Sequence, residues 1–249
     1  MVKIAVVGCT GKLGGMIIKE AAARPDIEVV YAIARSGNRY VGHGMAELIG
    51  GHSDLVIIDD IEAARDCDVF IDCTNAAAFI EHNCERYRRA GKPVVIATTA
   101  FSEEDMDKIR KMATETPVFL TGNFSVALHD FIETLRFAVR RVSNDTDIQI
   151  VEYHHNEKHD APSGTAIMIR DALTQANGRL TAEDIDICSV RGGNIFGEHE
   201  VIFANCKDEV VTFKHSVSSR EPFVQGALDV MVWIVKQKNG LYTMDDFCE

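Results

Sequence analysis

The fold is decided by residues Val2–Gly14, which read VKIAVVGCTGKLG. The apolar run Lys3–Val7 predicts a buried strand, and a helix is predicted to begin near Leu13. Between them the glycines are spaced G-x-x-G-x-x-G, which allows a tight turn and lets a diphosphate approach the amide groups at the start of the helix. This order predicts a βαβ unit that binds a dinucleotide. The competing interpretation is a glycine turn with a structural role only.

The first half of the chain continues this alternation of short apolar runs and longer periodic segments. The predicted strands are Lys3–Val7, Glu28–Ile33, Leu55–Ile58, Val69–Asp72, Pro93–Ile96 and Val118–Thr121. The predicted helices are Leu13–Ala23, Ala76–Ala90 with Gly91 as its carboxyl-terminal cap, and Glu103–Thr114 with Ser102 as its amino-terminal cap. Strands that alternate with helices predict a Rossmann-like, doubly wound parallel sheet.

After Asn123 the pattern changes, because strands follow one another with few helices between them. The predicted elements are a helix at 126–141, a strand at 147–154, a helix at 165–177, strands at 185–191, 197–204 and 209–217, and a last helix at 222–237 that stops at Asn239-Gly240. Consecutive strands favour a mixed or antiparallel sheet. The sequence therefore predicts an α/β protein in which residues 1–122 and 222–249 form the dinucleotide-binding domain and residues 123–221 form a second, α+β domain.

The composition excludes several classes of protein. With 249 residues, 46% of them hydrophobic and 26% charged, the chain is globular and not disordered. Its formal net charge of −12 argues against a nucleic-acid partner. No apolar run approaches the roughly 18 residues of a membrane span and no signal-peptide pattern is present, so we expect a cytoplasmic protein without a membrane partner. The seven cysteines include no C-x-x-C pair, which predicts inert, reduced thiols.

The end of the second predicted strand indicates which dinucleotide is bound. Sites for NAD carry an acidic residue there that accepts hydrogen bonds from the ribose hydroxyls, whereas sites for NADP replace the acid and add a cation. Here Glu28–Ile33 runs into Ala34-Arg35-Ser36 without a carboxylate. A guanidinium presents a fixed fork of donors that fits phosphate oxygens, so Arg35 predicts NADPH as the preferred cofactor and NADH as a possible second one. The alternative is that Arg35 is an ordinary solvated charge.

Residues Glu152–Ala166, which read EYHHNEKHDAPSGTA, form the densest polar cluster of the sequence. Within it His154, His155 and Lys158 lie at the end of a predicted strand. An imidazole and an ammonium group can each pass a proton to a substrate that has just accepted a hydride. The competing interpretations are a polar surface loop and a metal site. The H-E-x-x-H pattern of helical zinc sites is absent, and we expect no metal.

The helix predicted to start within this cluster adds an anion-binding element. Its first N–H groups and the hydroxyls of Ser163 and Thr165 are expected to receive a carboxylate, because the amino end of a helix is the positive end of its dipole. The histidines and Lys158 would then surround the rest of an anionic substrate. A protein with a charge of −12 requires such a local cationic pocket to attract an anion.

Over nearly its whole length the sequence resembles the 4-hydroxy-tetrahydrodipicolinate reductases, also called dihydrodipicolinate reductases. The family segment E-x-x-H-H-x-x-K-x-D-x-P-S-G-T-A matches Glu152–Ala166 with an offset of one residue at the first glutamate. Further matches are Asn123-Phe124-Ser125-Val126, Gly197-Glu198-His199 and Ser218-Ser219-Arg220. The resemblance implies NAD(P)H-dependent reduction of a cyclic imine dicarboxylate derived from 4-hydroxy-tetrahydrodipicolinate, a step of lysine and diaminopimelate biosynthesis.

The resemblance also assigns roles to individual residues. It implies that His154 is the proton donor or acceptor and that Lys158 is a proton donor. The implied substrate contacts are His155, Gly164 and Thr165, beside the Ser163 already predicted. The implied cofactor contacts are Gly8, Cys9, Thr10, Gly11, Lys12, Leu13, Arg35, Ala97, Thr98, Thr99, Thr121, Gly122, Asn123 and Phe124. The implied assembly is a homotetramer formed through the sheet of the second domain, which also binds the substrate.

Two features depart from the family pattern. The loop that usually reads Gly-Thr-Thr-Gly is Ala97-Thr98-Thr99-Ala100 here, and the two added methyl groups are expected to narrow the nicotinamide site. The stretch between Leu180 and Arg191 lacks a glycine-rich loop. Two other functions stay open, which are a different dinucleotide-dependent oxidoreductase of the aspartate or semialdehyde dehydrogenase type and a non-catalytic dinucleotide sensor. The semialdehyde reaction requires a catalytic thiol, for which no cysteine has a convincing context.

Overall fold

The structure, a computed structural model, describes residues 1–50, 53–143 and 145–249. The chain divides into two compact units. The first unit comprises Met1–Phe124 and Phe223–Glu249, and the second comprises Ser125–Pro222. Among the helices of the described residues, none has both the length and the apolar character needed to cross a membrane.

The elements follow the chain in this order. The first unit contains β1 (Val2–Val7), α1 (Lys12–Ala21), β2 (Ile27–Ile33), α2 (Ala46–Ile49), β3 (Ile57–Ile58), β4 (Val69–Asp72), α3 (Ala76–Ala78), a π-helical turn at Phe79–Asn83, α4 (Cys84–Ala90), β5 (Val94–Ile96), α5 (Glu103–Ala113) and β6 (Pro117–Leu120). The second unit contains α6 (Val126–Val139), β7 (Thr146–His154), α7 (Gly164–Ala176), a 3-10 turn at Ala182–Asp184, β8 (Ile185–Arg191), β9 (Gly197–Asn205) and β10 (Val210–Val217). The chain then passes through α8 (Glu221–Ile234) to β11 (Gly240–Tyr242) and α9 (Met244–Cys248).

The first unit is built on a seven-stranded sheet with the order β11-β6-β5-β4-β1-β2-β3. All pairings between neighbouring strands are parallel. From β1 the chain proceeds to β2 and β3 on one side, and from β4 to β5 and β6 on the other, so a topological switch point lies between β1 and β4. The predicted doubly wound parallel sheet is confirmed.

Both faces of this sheet are buried, as the continuous apolar strands predict. Side chains alternate along β1, so that Ile4 and Val6 join the cluster formed with α1 and α8, whereas Ala5 and Val7 join the cluster formed with α4 and α5. Gly226 is required for the packing of α8, because a Cβ atom there would lie 1.9 Å from the carbonyl oxygen of Phe124.

The second unit is a four-stranded mixed sheet with the order β10-β9-β7-β8. The strands β7 and β8 pair in parallel, whereas β9 pairs antiparallel with β7 and with β10. The helices α6 and α7 cover one face through a buried apolar cluster that includes Leu128, Leu135, Ile169, Leu173 and Val201. The predicted second α+β domain on a mixed sheet is therefore confirmed.

Several short elements differ from the prediction. The third strand is limited to Ile57–Ile58, because Val56 makes only an isolated bridge with Gly44. The last helix ends at Ile234, and Gly240 begins β11 instead of stopping the helix. The prediction also missed α2, β11 and α9, because each is too short to show a period. The predicted caps at Gly91 and Ser102 are confirmed.

A buried carboxylate organises the end of β4. Asp72 is fully buried and accepts hydrogen bonds from the Tyr87 hydroxyl at 2.7 Å, from Asn83 Nδ2 at 2.9 Å and from the Thr74 backbone N–H at 2.9 Å. Burial, followed by the neighbouring Asp72, raises the pKa of Tyr87, so the phenol remains a hydrogen-bond donor. Asn83 lies in the π-helical turn. The irregular turn therefore places a donor on a carboxylate that is desolvated.

We expect Tyr87→Phe to lower the free energy of unfolding by about 1–3 kcal/mol, because the buried Asp72 carboxylate loses a donor. The control is Tyr242→Phe. Its hydroxyl donates to the Lys238 carbonyl oxygen at an exposed position, so the expected change is below about 0.5 kcal/mol. Urea-induced unfolding followed by circular dichroism measures both changes. Equal stability of Tyr87→Phe and the unaltered chain would contradict the role given to this hydrogen bond.

Candidate active site

The cofactor residues predicted from the sequence follow the carboxyl ends of strands in the seven-stranded sheet. Gly8 follows β1, Arg35 lies two residues after β2, Ala97 follows β5 and Thr121 follows β6. Because all these strands are parallel, the topology brings the four segments to one edge of the first unit. In doubly wound sheets this edge binds the ligand beside the switch point.

The glycine turn is packed so closely that two of its glycines are required. Gly8 has a φ of +82°, and a Cβ atom at this position would lie 2.8 Å from the Cys73 carbonyl oxygen. A Cβ atom on Gly14 would lie 2.5 Å from the Gly8 carbonyl oxygen. The Gly8 N–H also donates to the Ile33 carbonyl oxygen at 2.8 Å, which ties the turn to β2. The chain therefore forms a rigid cradle at the start of α1.

The amino end of α1 fits the diphosphate of a dinucleotide. Gly11 is the N-cap residue and provides no side-chain cap, and the first turn contains no acidic residue. The uncapped N–H groups and the positive end of the helix dipole therefore face a position where an anion is stabilised. Lys12 is exposed beside them. Cys9 is fully buried, so of the predicted contacts in this turn it can offer backbone atoms only.

Arg35 lies in a turn that is joined to the glycine turn. Nδ2 of Asn38 donates to Thr10 Oγ1 at 3.3 Å, and the Asn38 N–H donates to the Arg35 carbonyl oxygen at 3.1 Å. Arg35 is exposed, and within the described part of the chain its guanidinium has no acidic partner. An unpaired guanidinium next to the diphosphate cradle suits a ribose 2′-phosphate.

The loop after β5 contains a buried polar atom that lacks a hydrogen bond. The Ala97 N–H donates to the Asp72 carbonyl oxygen at 2.9 Å, which anchors the loop. Thr98 is buried, and among the described residues its Oγ1 has no partner. Ala100 has a φ of +67°, in the left-handed region that favours glycine, and Thr99 is exposed. The alanine therefore keeps a glycine-type backbone at a cost of about 1–2 kcal/mol.

The loop after β6 is closed by Thr121. Its hydroxyl donates to the Asn123 carbonyl oxygen at 2.9 Å and accepts a hydrogen bond from the Asn123 N–H at 3.1 Å. Gly122 is exposed between them. Phe124 is buried, and its ring stacks on Phe119 with 6.3 Å between the centroids. The side chain of Phe124 therefore belongs to the core, and its backbone is what remains for a cofactor contact.

In the second unit, the inward face of β7 carries the polar residues of the signature segment. Ile148, Ile150, Glu152 and His154 alternate along the strand and are all buried. Two apolar residues are thus followed on the same face by a carboxylate and an imidazole. Glu152 has 0% of its surface exposed, so its charge requires compensation inside the protein.

Arg191, at the end of β8, supplies this compensation. Its two terminal nitrogens donate to Glu152 Oε2 at 2.9 Å and to Oε1 at 2.7 Å. Nδ1 of His154 also hydrogen-bonds Oε2, and the Ser163 N–H donates to Oε1 at 3.3 Å. Burial opposes the ionisation of Glu152, but the side-chain hydrogen bonds from Arg191, Ser189 and His154 outweigh it and lower the pKa of Glu152 to about 2. Glu152 is therefore a carboxylate at neutral pH.

Two neutral imidazoles lie against each other at this position. The rings of His154 and His199 are 5.5 Å apart between centroids, in an edge-to-face arrangement. Burial lowers the pKa of His154 against the opposing effect of Glu152. Burial, assisted by the proximity of His154 and His215, lowers the pKa of His199 to about 4. His199 therefore stays neutral beside His154 over the physiological range.

The Ser163 hydroxyl forms hydrogen bonds with other residues of the protein. It accepts a hydrogen bond from the Ala166 N–H at 3.1 Å, which caps α7, and it lies 3.2 Å from Nε2 of His199. Ser163 is buried, and its predicted contact with a substrate carboxylate stays a prediction. Gly164 is exposed and Thr165 is half-buried, so these two residues carry the accessible start of α7.

Lys158 lies in the loop between β7 and α7, where Nζ donates to both carboxylate oxygens of Asp160 at 2.9 and 2.8 Å. The Lys158 N–H donates to the His155 carbonyl oxygen at 3.1 Å, and His155 itself is half-buried. Burial opposes ionisation of Asp160, but the hydrogen bond from Lys158 outweighs it and lowers the pKa of Asp160. Asp160 thus fixes the Lys158 side chain in the loop that follows β7.

The sequence analysis gave no role to three residues that the structure places in this site, namely Glu152, Arg191 and His199. A signal for Glu152 was present, since an acid on the same face of a strand as two isoleucines must be buried and paired. Arg191 and His199 come from other strands. The sequence has no pattern that joins them to β7.

Comparison with known proteins matches both halves of the chain. The family model described as dihydrodipicolinate reductase, N-terminus, matches residues 2–124, and the model described as its C-terminus matches residues 127–248. A 4-hydroxy-tetrahydrodipicolinate reductase of Caldanaerobacter subterraneus subsp. tengcongensis is 37% identical over 99% of this chain and 98% of the relative. One of Anaeromyxobacter dehalogenans is 33% identical over 99% of this chain and 97% of the relative.

Solved structures share the fold. A dipicolinate-bound dihydrodipicolinate reductase from Paenisporosarcina sp. TG-14 has a TM-score of 0.78 at 19% identity, covering 98% of this chain and 97% of the other. An amine dehydrogenase from Mycobacterium smegmatis has a TM-score of 0.64 at 14% identity, covering 98% and 95%. Because the fold is common to different enzymes, the matches over the whole sequence decide the family. The chain belongs to the dihydrodipicolinate reductase family.

Proposed function

We propose that the chain catalyses the NAD(P)H-dependent reduction of the cyclic imine dicarboxylate formed from 4-hydroxy-tetrahydrodipicolinate, giving tetrahydrodipicolinate for lysine and diaminopimelate biosynthesis. The observation that carries the proposal is the cluster at the end of β7, where His154, His155 and Lys158 precede the accessible amino end of α7. These groups are suited to bind a small dianion and to supply a proton. The relative from Paenisporosarcina was solved with dipicolinate bound, and dipicolinate is a planar dicarboxylate of the same class.

In the reaction, 4-hydroxy-tetrahydrodipicolinate loses water to give a conjugated cyclic imine. Hydride addition at carbon 4 pushes electrons toward the ring nitrogen, and one proton then converts the resulting enamine to tetrahydrodipicolinate. The nicotinamide cofactor supplies the hydride when it is bound. The protein has to bind two carboxylates, orient the ring and deliver the proton.

The cofactor is assigned to residues of the first unit. The N–H groups after Gly11 would receive the diphosphate and Arg35 the 2′-phosphate of NADPH. The loops at 97–99 and 121–124 would flank the nicotinamide, where Thr98 offers a hydroxyl without a partner among the described residues.

The substrate is assigned to residues of the second unit. The N–H groups of Gly164 and Thr165 would receive one carboxylate, whereas His155 and Lys158 would receive the other. The two carboxylates would thus be stabilised by a helix terminus and by the side chains of His155 and Lys158, which are physically independent of each other. His154 and Lys158 are the groups able to deliver the proton.

The other open functions are less well supported. A semialdehyde dehydrogenase needs an activated thiol, but burial raises the pKa of Cys9 to about 12 and that of Cys67 to about 11. Burial likewise raises the pKa of Cys73. A dinucleotide sensor would not require the buried Glu152–Arg191 pair beneath an imidazole. The homotetramer implied by the resemblance stays a prediction, which size-exclusion chromatography with light scattering would test.

We expect His154→Ala and Lys158→Ala each to lower turnover by about 10²–10⁴-fold, the usual contribution of a positioned proton donor. Cofactor affinity should not change, because neither residue belongs to the unit that carries the cradle. Steady-state assays with freshly generated imine measure turnover, and cofactor titrations measure affinity. The control is Lys207→Ala, an exposed lysine outside the site, which should retain turnover. Near-normal turnover of either site variant would overturn the catalytic assignment of that residue.

We expect pyridine-2,6-dicarboxylate to compete with the substrate and pyridine-2-carboxylate to bind about ten- to hundredfold more weakly. A lost charge-assisted contact is worth roughly 1.5–3 kcal/mol, which corresponds to this range of affinity. Inhibition constants measured at fixed ionic strength test the expectation. Equal inhibition by the two compounds would contradict the two carboxylate sites and leave the amino end of α7 as the single one.

We expect NADPH to be preferred over NADH by about ten- to hundredfold in kcat/KM, because Arg35 gives the 2′-phosphate a charge-assisted contact. Arg35→Ala should lose efficiency with NADPH alone, and Ala34→Glu should shift the ratio toward NADH. The matched control is Arg39→Ala, which should leave the preference for NADPH unchanged. The Arg39 guanidinium already has a partner, because it lies 4.6 Å from the centre of the Tyr40 ring. A wild-type preference for NADH, or an Arg35→Ala variant unchanged with NADPH, would refute the assignment of Arg35.

A further inference from the structure

One guanidinium joins three parts of the second unit. Arg191 binds both carboxylate oxygens of Glu152 on β7, and one of its nitrogens also donates to the Asp160 carbonyl oxygen at 2.7 Å. Asp160 in turn holds Lys158. Arg191 therefore fixes the carboxylate beneath His154 and also the loop that carries the second proposed proton donor. It has 19% of its side chain exposed, so these contacts are largely shielded from water.

We propose that Arg191 and Glu152 are positioning residues that hold His154 in one tautomer and set the pH range in which its ring exchanges a proton. The proposal deepens the function proposed above and rests on it for the identity of the reaction. Neither residue is assigned a contact with the substrate, and both act through the imidazole.

The tautomer follows from the hydrogen bond between Glu152 and His154. Because Glu152 is ionised and its oxygens can only accept, Nδ1 of His154 must carry a proton. In the neutral ring the proton-free nitrogen is then Nε2. A Cβ atom on Gly197 would lie 3.2 Å from Nε2, so the glycine leaves space beside the nitrogen that exchanges the proton.

The charges around His154 explain the role of Arg191. Glu152 attracts a proton to the ring, whereas Lys158 and Arg191 repel it and burial opposes the charged form. His199 packs on the ring as a neutral group with His215 behind it, and Asp160 is paired with Lys158. Without Arg191, the full charge of Glu152 would act on His154. The guanidinium thus offsets part of the attraction that Glu152 exerts on a second proton of the His154 ring, which acts in the same direction as burial and lowers the pKa of His154.

The test is nitrogen NMR of the full-length protein labelled with ¹⁵N-histidine, in which the signals of His154 are identified by their loss in His154→Gln. We expect the neutral ring to carry its proton on Nδ1. We expect Arg191→Met to raise the titration midpoint of His154 by about one pH unit and Glu152→Gln to lower it by a similar amount, because the two variants remove opposite charges. Arg191→Lys, which keeps the charge, should return the midpoint toward that of the unaltered protein.

The pH profile of kcat/KM should move in the same direction as the midpoint in each variant. The matched control is Arg170→Met, because Arg170 is a half-buried arginine of α7 paired with Asp171 at 2.9 Å. This variant should leave the His154 midpoint unchanged. If Arg191→Met does not fold, two measurements still test the proposal. They are the tautomer of His154 in the unaltered protein and the titration midpoint of His154 in Glu152→Gln.

A proton on Nε2 in the neutral ring, or midpoints that do not move in opposite directions, would overturn the proposal. These measurements need no substrate, so they can fail while the enzyme reduces the imine normally. Conversely, a protein that does not reduce the imine but shows the expected tautomer and midpoints would refute the proposed function alone.

Discussion

The hydrogen-bonded ion pair between Glu152 and Arg191 is the interaction on which the second unit's chemistry depends. A carboxylate on the inward face of an apolar strand is strongly unfavourable unless it is paired and its lone pairs are used. Glu152 satisfies both conditions through Arg191, His154 and the N–H of Ser163. The same contacts align the end of β7, the end of β8 and the start of α7. Compensating one buried charge therefore also assembles the site.

The buried carboxylate of the first unit, Asp72, is stabilised by hydrogen bonds without a cationic partner among the described residues. Asp72 accepts hydrogen bonds from a phenol, an amide, a backbone N–H and the Thr74 hydroxyl, all of them neutral donors. Hydrogen bonds to charged groups contribute about 1.5–3 kcal/mol each, so these donors together offset much of the desolvation of one carboxylate. A neutral arrangement stabilises the loops beside the cofactor cradle without placing a fixed cation there. Arg35 and Lys12 are both exposed.

The fold alone would not have identified the function. An amine dehydrogenase shares the architecture over nearly the whole chain at 14% identity, which shows that the same two kinds of sheet serve different chemistry. In this chain the polar cluster after β7 draws its partners from other strands of the same sheet. His199 and Arg191 approach β7 from its two neighbours in the sheet, so the mixed pairing of β8 and β9 with β7 is what makes the cluster.

Local sequence determined most of the secondary structure and the position of both functional segments. A glycine that needs a positive φ is visible in the local sequence, as Gly8 shows. A strand that is buried on both faces is visible as a continuous apolar run, as β1 shows. The short elements α2, β11 and α9 left no such pattern, because three to five residues are too few for an apolar pattern to repeat. The tertiary structure alone decided that Ser163 caps a helix, that Phe124 and Cys9 face the core, and that Arg191 pairs with Glu152. Arg191 and Glu152 are 39 residues apart, and their contact arises from the register of two parallel strands, which no local propensity encodes.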